Sequence, residues 1–131
     1  MNLLLDTHIW LWWINQNKEL PPQHQNLIAQ TKNVYVSAVS CWELTMLHQR
    51  QKIELTEPLQ DWLQIALRDI TCLPLNEAIA VQSALFEFHH RDPADHFIIA
   101  TALVHDCRLM SFDNKFVLYP ELNNKLIGSR L

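Results

Sequence analysis

Short runs of apolar residues alternate along the chain with longer segments in which apolar and polar residues are mixed. Short apolar runs that contain β-branched or aromatic side chains predict strands that are buried on both faces. Five runs predict strands, at residues 3–5, 34–37, 70–73, 108–111 and 125–127. The segments between them are long enough to hold crossover helices, so the pattern predicts a parallel sheet.

Helical segments are predicted between these strands, at residues 7–15, 21–30, 40–50, 59–69, 76–88 and 92–105. Prolines open the second and the fourth of them, because proline is tolerated in the first turn of a helix. Asn76 and Asp92 are suitable N-caps for the last two. The predicted fold class is therefore α/β, and the close succession of elements predicts a single domain over residues 1–131.

The composition narrows the classes of protein that the chain can belong to. Apolar residues make up 49% of 131 residues, which is enough for one core and too many for a disordered chain. Gly128 is the single glycine, so the Gly-rich phosphate loops of nucleotide-binding proteins are excluded. The net charge of −4 excludes a basic nucleic-acid coat protein and argues at first against any polyanionic partner.

The cysteines and the N-terminus indicate the compartment. Cys41, Cys72 and Cys107 are odd in number and form no CxxC pair, so neither a disulfide framework nor a zinc site is predicted. Each lies in an apolar run, and we expect small buried thiols in a reducing cytosol. The N-terminus lacks a basic region, and no apolar run approaches the ~20 residues of a membrane span. We therefore expect a cytoplasmic protein without a membrane partner.

Acidic residues follow the predicted strands at the point where each strand ends. Asp6 directly follows the first strand. Glu43 lies in the first turn of the helix that follows the second strand, and Asp113 lies just after the fourth strand. The helix over 92–105 ends just before the fourth strand begins, which is at the opposite edge of the sheet. At about 1.5 Å per residue this helix is roughly 20 Å long, which is enough to cross the sheet. Its first turn, with Asp95 and with Asp92 as a candidate fifth acid, therefore returns to the same edge. Ligands of open parallel sheets bind at this edge.

Carboxylates that converge in this way repel one another unless they are protonated or hold a cation. Oxygen ligands favour Mg²⁺ or Mn²⁺, and such ions serve phosphodiester hydrolysis by activating water and neutralising phosphate charge. Each acid also has a purely structural alternative: Ser40 and Glu43 match a capping box, Asp92 and Asp95 suit a helix start, and Asp113 suits a turn. The convergence of four acids on one edge favours the metal site.

Four blocks of sequence carry a resemblance to a known family. They are LLDTHIWLW at residues 4–12, VSAVSCWEL at 36–44, RDPADHFIIATA at 91–102 and LMSFD at 109–113. In order and spacing these blocks resemble those of PIN-domain ribonucleases, and in particular the VapC-type toxins of bacterial toxin–antitoxin pairs. The resemblance extends over nearly the whole chain, and the four blocks together are much more specific than any one of them.

The resemblance implies a three-layer α/β/α sandwich around a parallel sheet and RNA cleavage that depends on Mg²⁺ or Mn²⁺. It also implies an antitoxin as protein partner and a homodimer. Thr7 and Ser111 would be supporting hydroxyls, and Asp92 would cap the helix that carries Asp95. The metal ligands and catalytic residues that it implies are Asp6, Glu43, Asp95 and Asp113.

One position departs from the family pattern, because His96 stands where this subgroup usually has arginine. Arg91, Lys115 and His96 are the candidates for RNA contact. The departure keeps open an alternative function, a catalytically silent PIN-like module that binds other proteins. A phospho-accepting receiver-like domain fits less well, because the context of Lys115 does not match. The four predicted metal ligands carry four negative charges, which equal the net charge of −4, so the rest of the chain is neutral overall. The acidity of the protein can therefore be assigned to a cation site.

Overall fold

The computed structural model describes residues 1–87 and 92–131 and contains a five-stranded, fully parallel sheet with the strand order β3-β2-β1-β4-β5. All five predicted strands are present within one or two residues of their expected bounds. They are β1 Asn2–Leu5, β2 Asn33–Ser37, β3 Thr71–Leu73, β4 Arg108–Met110 and β5 Leu126–Ile127. The parallel α/β architecture predicted from the apolar runs is confirmed.

Six α-helices lie in the described residues, at the predicted places along the chain. They are α1 Thr7–Ile14, α2 Pro22–Gln30, α3 Ala38–Gln49, α4 Leu59–Ala66, α5 Glu77–Leu85 and α6 Pro93–Val104. Asn76 and Asp92 are the N-caps of α5 and α6, as predicted. The fifth helix ends at Leu85, earlier than its predicted end at Phe88, which lies outside the described residues. Two short 3₁₀ helices follow β4, at Asn114–Leu118 and Pro120–Leu122.

The start of α3 differs from the prediction. Ser37 is its N-cap and accepts a 3.1 Å hydrogen bond from the backbone N–H of Val39. The capping box predicted from Ser40 to Glu43 is therefore wrong: Ser40 lies inside the helix and Glu43 in its second turn. The physical reason is that β2 passes into α3 without a loop, so the last strand residue already satisfies the first free N–H groups.

Helices cover both faces of the sheet, so the molecule has the expected three layers. Along β1, Leu3 and Leu5 point to one face and Leu4 to the other, as the strand geometry requires. The Leu3 face packs against α1, α2 and α4, and the Leu4 face against α5 and α6. Trp10 of α1 and Trp62 of α4 are fully buried on the first face. Within residues 1–87 and 92–131, no helix is long and apolar enough to cross a membrane.

Candidate metal centre

A cavity of about 370 Å³ lies at the carboxyl edge of the sheet, beside the central strand β1. The four acids predicted to converge all line it, and so does Asp92. Thr7, His8 and Lys115 are the other polar residues in its lining. The acidic residues in its wall are Asp6, Glu43, Asp92, Asp95 and Asp113.

Asp6 is held from both sides at the junction of β1 and α1. Its Oδ1 accepts a 2.8 Å hydrogen bond from the backbone N–H of Thr7, which caps the helix. Its Oδ2 accepts a 2.6 Å hydrogen bond from the hydroxyl of Ser111, which follows the neighbouring strand β4. The carboxylate is 4% exposed and fixed in orientation, which is the arrangement expected of a metal ligand.

Glu43 reaches the cavity from α3, where Thr7 contacts it. The Thr7 hydroxyl lies 2.6 Å from Glu43 Oε1 and 2.8 Å from the hydroxyl of Ser40. A hydroxyl has one proton to donate, and the carboxylate is acceptor-only, so Thr7 donates to Glu43 and accepts from Ser40. The interior position of Ser40 in α3, which contradicts the capping box, thus serves the orientation of Glu43.

Ser111 also positions Asp113. The backbone N–H of Asp113 donates a 3.2 Å hydrogen bond to the Ser111 hydroxyl, whose own proton goes to Asp6. Asp113 in turn caps the first 3₁₀ helix, with its Oδ1 accepting from the backbone N–H of Lys115 at 2.9 Å. The predicted supporting hydroxyls, Thr7 and Ser111, therefore each contact a predicted ligand.

The N-terminus of α6 supplies the remaining acids. Asp92 caps this helix, with its Oδ1 accepting a 3.1 Å hydrogen bond from the N–H of Ala94, and Asp95 follows in the first turn. Carboxylate oxygens of Glu43, Asp92 and Asp95 lie within 4.8 Å of one another, a spacing that suits one shared cation. The positive end of the α6 dipole faces the same acids and lowers the energy of their charged forms.

Burial and mutual repulsion raise the pKa values of these acids. Burial is the largest cause for Asp95, followed by the charges of the neighbouring acids, and together they raise its pKa to about 8. Burial also raises the pKa of Asp6 and of Glu43, against the opposing effect of the hydrogen bonds described above. Without a cation, Asp95 therefore retains a proton over much of the neutral pH range. The set of hard oxygen donors fits a hard divalent cation, which would displace that proton.

No role was predicted for His8, which the structure places against Asp6. Its Nδ1 lies 3.4 Å from Asp6 Oδ2, and its Nε2 accepts a 3.3 Å hydrogen bond from the backbone N–H of Phe112. Because Nε2 is an acceptor, the proton of the neutral ring lies on Nδ1, the atom that faces the carboxylate. The signal in the sequence is its position two residues after Asp6, in the first turn of a helix that starts at the same edge.

Of the three residues predicted to contact RNA, the structure describes two, and these lie in different environments. Lys115 is exposed at the mouth of the cavity, and Arg91 lies outside the described residues. The structure corrects the prediction for His96, which is 3% exposed. Its Nε2 lies 2.7 Å from the hydroxyl of Tyr119, and its ring packs edge-on against Phe86. His96 faces the core because α6 turns this position towards the 3₁₀ segment and α5.

Comparison with known proteins identifies relatives of this chain. The sequence profile described as "PIN domain" matches residues 3–122. A similar protein, Ribonuclease VapC22 of Mycobacterium tuberculosis, is 31% identical over 114 residues, which is 86% of this chain and 88% of the relative.

Solved structures share the fold. The crystal structure of DNA-bound VapBC from Salmonella typhimurium superposes with a TM-score of 0.75 at 16% identity, covering 98% of both chains. The crystal structure of VapBC2 from Rickettsia felis, bound to a DNA fragment from its promoter, superposes with a TM-score of 0.69 at 20% identity and the same coverage. At these identities the likeness establishes the arrangement of helices and strands.

Proposed function

The chain belongs to the PIN-domain family, and on that premise we propose that it is an endoribonuclease, the toxin of a toxin–antitoxin pair. The observation that carries the proposal is the single cavity into which four distant parts of the chain bring five carboxylates. The 31% identical relative is named a ribonuclease, which supports RNA as the substrate. An acidic cavity of this kind suits phosphodiester hydrolysis by a water molecule that a bound cation would activate.

We propose Mg²⁺ or Mn²⁺ as the cofactor. Asp6, Glu43, Asp95 and Asp113 would hold it, and the closeness of Asp92 to Glu43 and Asp95 adds a fifth oxygen donor. When bound, such a cation supplies charge neutralisation at the scissile phosphate and activation of water. Oxygen donors alone favour these hard ions over zinc or copper.

The residues of the chain itself prepare the site. Ser111 and Thr7 fix the carboxylates of Asp6 and Glu43 before substrate arrives, which lowers the reorganisation required in the reaction. His8 presents a ring N–H towards Asp6 and restricts its rotation. Lys115, at the mouth of the cavity, is placed to contact an RNA phosphate next to the scissile bond.

The partners follow from the family. The structural neighbours are toxin–antitoxin complexes, so we propose a VapB-type antitoxin that covers the acidic cavity of this chain. We further propose a homodimer that acts in the cytoplasm, where the RNA substrate is found. The catalytically silent interaction module is the less supported alternative, because all four acids and Thr7 line one cavity and Ser111 donates a hydrogen bond to one of those acids.

The decisive experiment is an RNA cleavage assay on the purified chain without its antitoxin. We expect cleavage of single-stranded RNA with Mg²⁺ or Mn²⁺, none with EDTA, and none from the variant Asp6→Asn. Asp61→Asn is the matched control, because Asp61 is an exposed acid in the first turn of α4. Full activity of Asp6→Asn would overturn the mechanism, and an inactive wild type that still binds antitoxin would favour the silent module.

A further inference from the structure

Two cysteines on neighbouring elements face one another near an edge of the sheet. Cys41 lies in α3 and Cys72 in the edge strand β3, 31 residues apart in sequence, and their Sγ atoms are 3.9 Å apart. Both cysteine residues are partly exposed, in contrast to the prediction that all three cysteines would be buried. Neither lines the acidic cavity, so the pair is separate from the proposed metal site.

The geometry allows the two sulfurs to bond with little movement. A disulfide needs an S–S distance of about 2.05 Å, so the sulfurs must approach by roughly 2 Å. β3 is fixed beside β2, with Cys72 paired in register with Val36, and both cysteines pack against the same core cluster. Because the sulfurs are already 3.9 Å apart on this frame, the remaining approach is small enough for side-chain rotation to supply.

The pair is also chemically distinct from the third cysteine. The hydrogen bond between the two thiols lowers the pKa of Cys72 to about 7 and raises the pKa of Cys41, so Cys72 is the member of the pair that more readily becomes a thiolate. Cys107 is buried at the end of α6, and burial raises its pKa to about 11. A thiolate is the reactive form of cysteine, and Cys107 therefore serves as an unreactive internal reference.

We propose that Cys41 and Cys72 form a redox modification site, which a hydroperoxide oxidises to a reversible disulfide. The Cys72 sulfur attacks the peroxide, the O–O bond breaks, and the products are a sulfenic acid and an alcohol or water. The Cys41 sulfur then attacks Cys72, the S–O bond breaks and water leaves. The two thiols lose two electrons and two protons, and the peroxide is reduced by the same amount.

The disulfide would fasten α3 to the edge strand while leaving the cavity open. Cys41 and Glu43 are two residues apart on α3, about 200° around the helix, and therefore point to opposite sides. The link restrains the helix that carries Glu43 from the side away from the acids. It also closes a long loop in the unfolded chain, so the oxidised protein should be the more stable form.

The test is peroxide treatment of the folded, full-length chain, followed by alkylation of free thiols and non-reducing peptide mapping. We expect one cross-linked peptide pair joining Cys41 to Cys72, a mass loss of about 2 Da reversed by dithiothreitol, and Cys107 alkylated only after denaturation. The oxidised form should melt at a temperature about 5 °C or more above the reduced form. The assay needs no RNA, so its result is independent of the proposed ribonuclease activity.

Matched variants separate this proposal from general oxidation. Cys107→Ser should cross-link like the wild type, whereas Cys72→Ser should remain uncross-linked and show no rise in melting temperature. Sulfinic acids on separate cysteines without a cross-link would overturn the proposal. So would a Cys41–Cys72 link that forms only in denaturant, or cross-links through Cys107 at an equal rate. Mapping of the wild type decides the question even where a variant fails to fold.

Discussion

The hydroxyl of Ser111 donates a 2.6 Å hydrogen bond to Asp6 Oδ2, and the two residues lie 105 positions apart in sequence. The same hydroxyl accepts the backbone N–H of Asp113. One small side chain thus connects the ends of β1 and β4 and sets the relative positions of two predicted metal ligands. This contact makes Ser111 a positioning residue whose loss should be visible in metal binding.

Ser111→Ala should lower the affinity for Mn²⁺ by about 10-fold, because the carboxylate of Asp6 loses the donor that orients it. Calorimetric titration with Mn²⁺ measures the effect directly. Ser129→Ala is the control, since Ser129 is exposed near the C-terminus. Equal affinities of Ser111→Ala and the wild type would show that the backbone alone fixes Asp6.

The stability of the metal-free protein should fall as the pH rises from about 4 to about 8. The pKa of Asp95 is raised from 3.8 to about 8 in the folded state, so in this interval the folded chain holds a proton that the unfolded chain releases. Asp95→Asn carries no such proton and should melt at a higher temperature than the wild type at pH 8, by on the order of 5 °C. Thermal unfolding in EDTA across this pH range measures both.

Asp61→Asn is again the control and should retain the wild-type dependence on pH, because Asp61 is exposed. If the metal-free wild type and the Asp61→Asn control both gained stability between pH 4 and pH 8, this result would contradict the raised pKa of Asp95.

Binding of Mg²⁺ or Mn²⁺ should release protons and become tighter with rising pH. The pKa of Asp95 is raised to about 8, so at neutral pH a cation must displace a proton from this carboxyl group, and the pKa values of Glu43 and Asp6 are shifted in the same direction. Calorimetry in buffers with different ionisation enthalpies counts the protons released. A pH-independent affinity with no proton release would indicate that the ion binds elsewhere.

His96→Phe should reduce stability and leave RNA binding unchanged. The substitution keeps an aromatic ring beside Phe86 but removes the hydrogen bond to the hydroxyl of Tyr119, at a cost of about 1–3 kcal/mol. Urea denaturation and KM for RNA are the two measurements. A raised KM at unchanged stability would restore His96 as an RNA contact.

Lys115→Ala should raise KM for RNA by about 3- to 10-fold and reduce the salt slope of binding by about one. The side chain is exposed at the mouth of the cavity, so stability should stay close to that of the wild type. Lys52→Ala is the matched control, because it removes one positive charge at an exposed position after α3. If both variants bind RNA alike, the RNA does not pass over Lys115.

The sequence predicted the sheet well, because its strands are short apolar runs that only a doubly covered sheet can bury. It also predicted which acids meet, since parallel topology places Asp6, Glu43 and Asp113 at one edge without knowledge of the strand order. Asp95 followed from the direction in which its helix crosses the sheet. These predictions depended on connectivity alone, and connectivity can be read from a sequence.

The predictions that failed depended on local geometry or on strand order. The capping box at Ser40 competed with Ser37, and the direct passage from β2 into α3 decided in favour of Ser37. The inward direction of His96 depends on how α6 packs against Tyr119. The contact between Cys41 and Cys72 requires β3 to lie beside β2, a neighbour relation that the apolar pattern does not specify.

The central position of β1, between β2 and β4, has a consequence for the synthesis of the protein. Asp6 is translated 105 residues before Ser111, so its neighbour β4 and the loop with Ser111 and Asp113 do not yet exist when β1 emerges from the ribosome. A nascent chain therefore carries most of the acids without a finished cavity to hold them. Translation itself therefore delays the formation of the acidic cavity until β4 and the loop that follows it have been made.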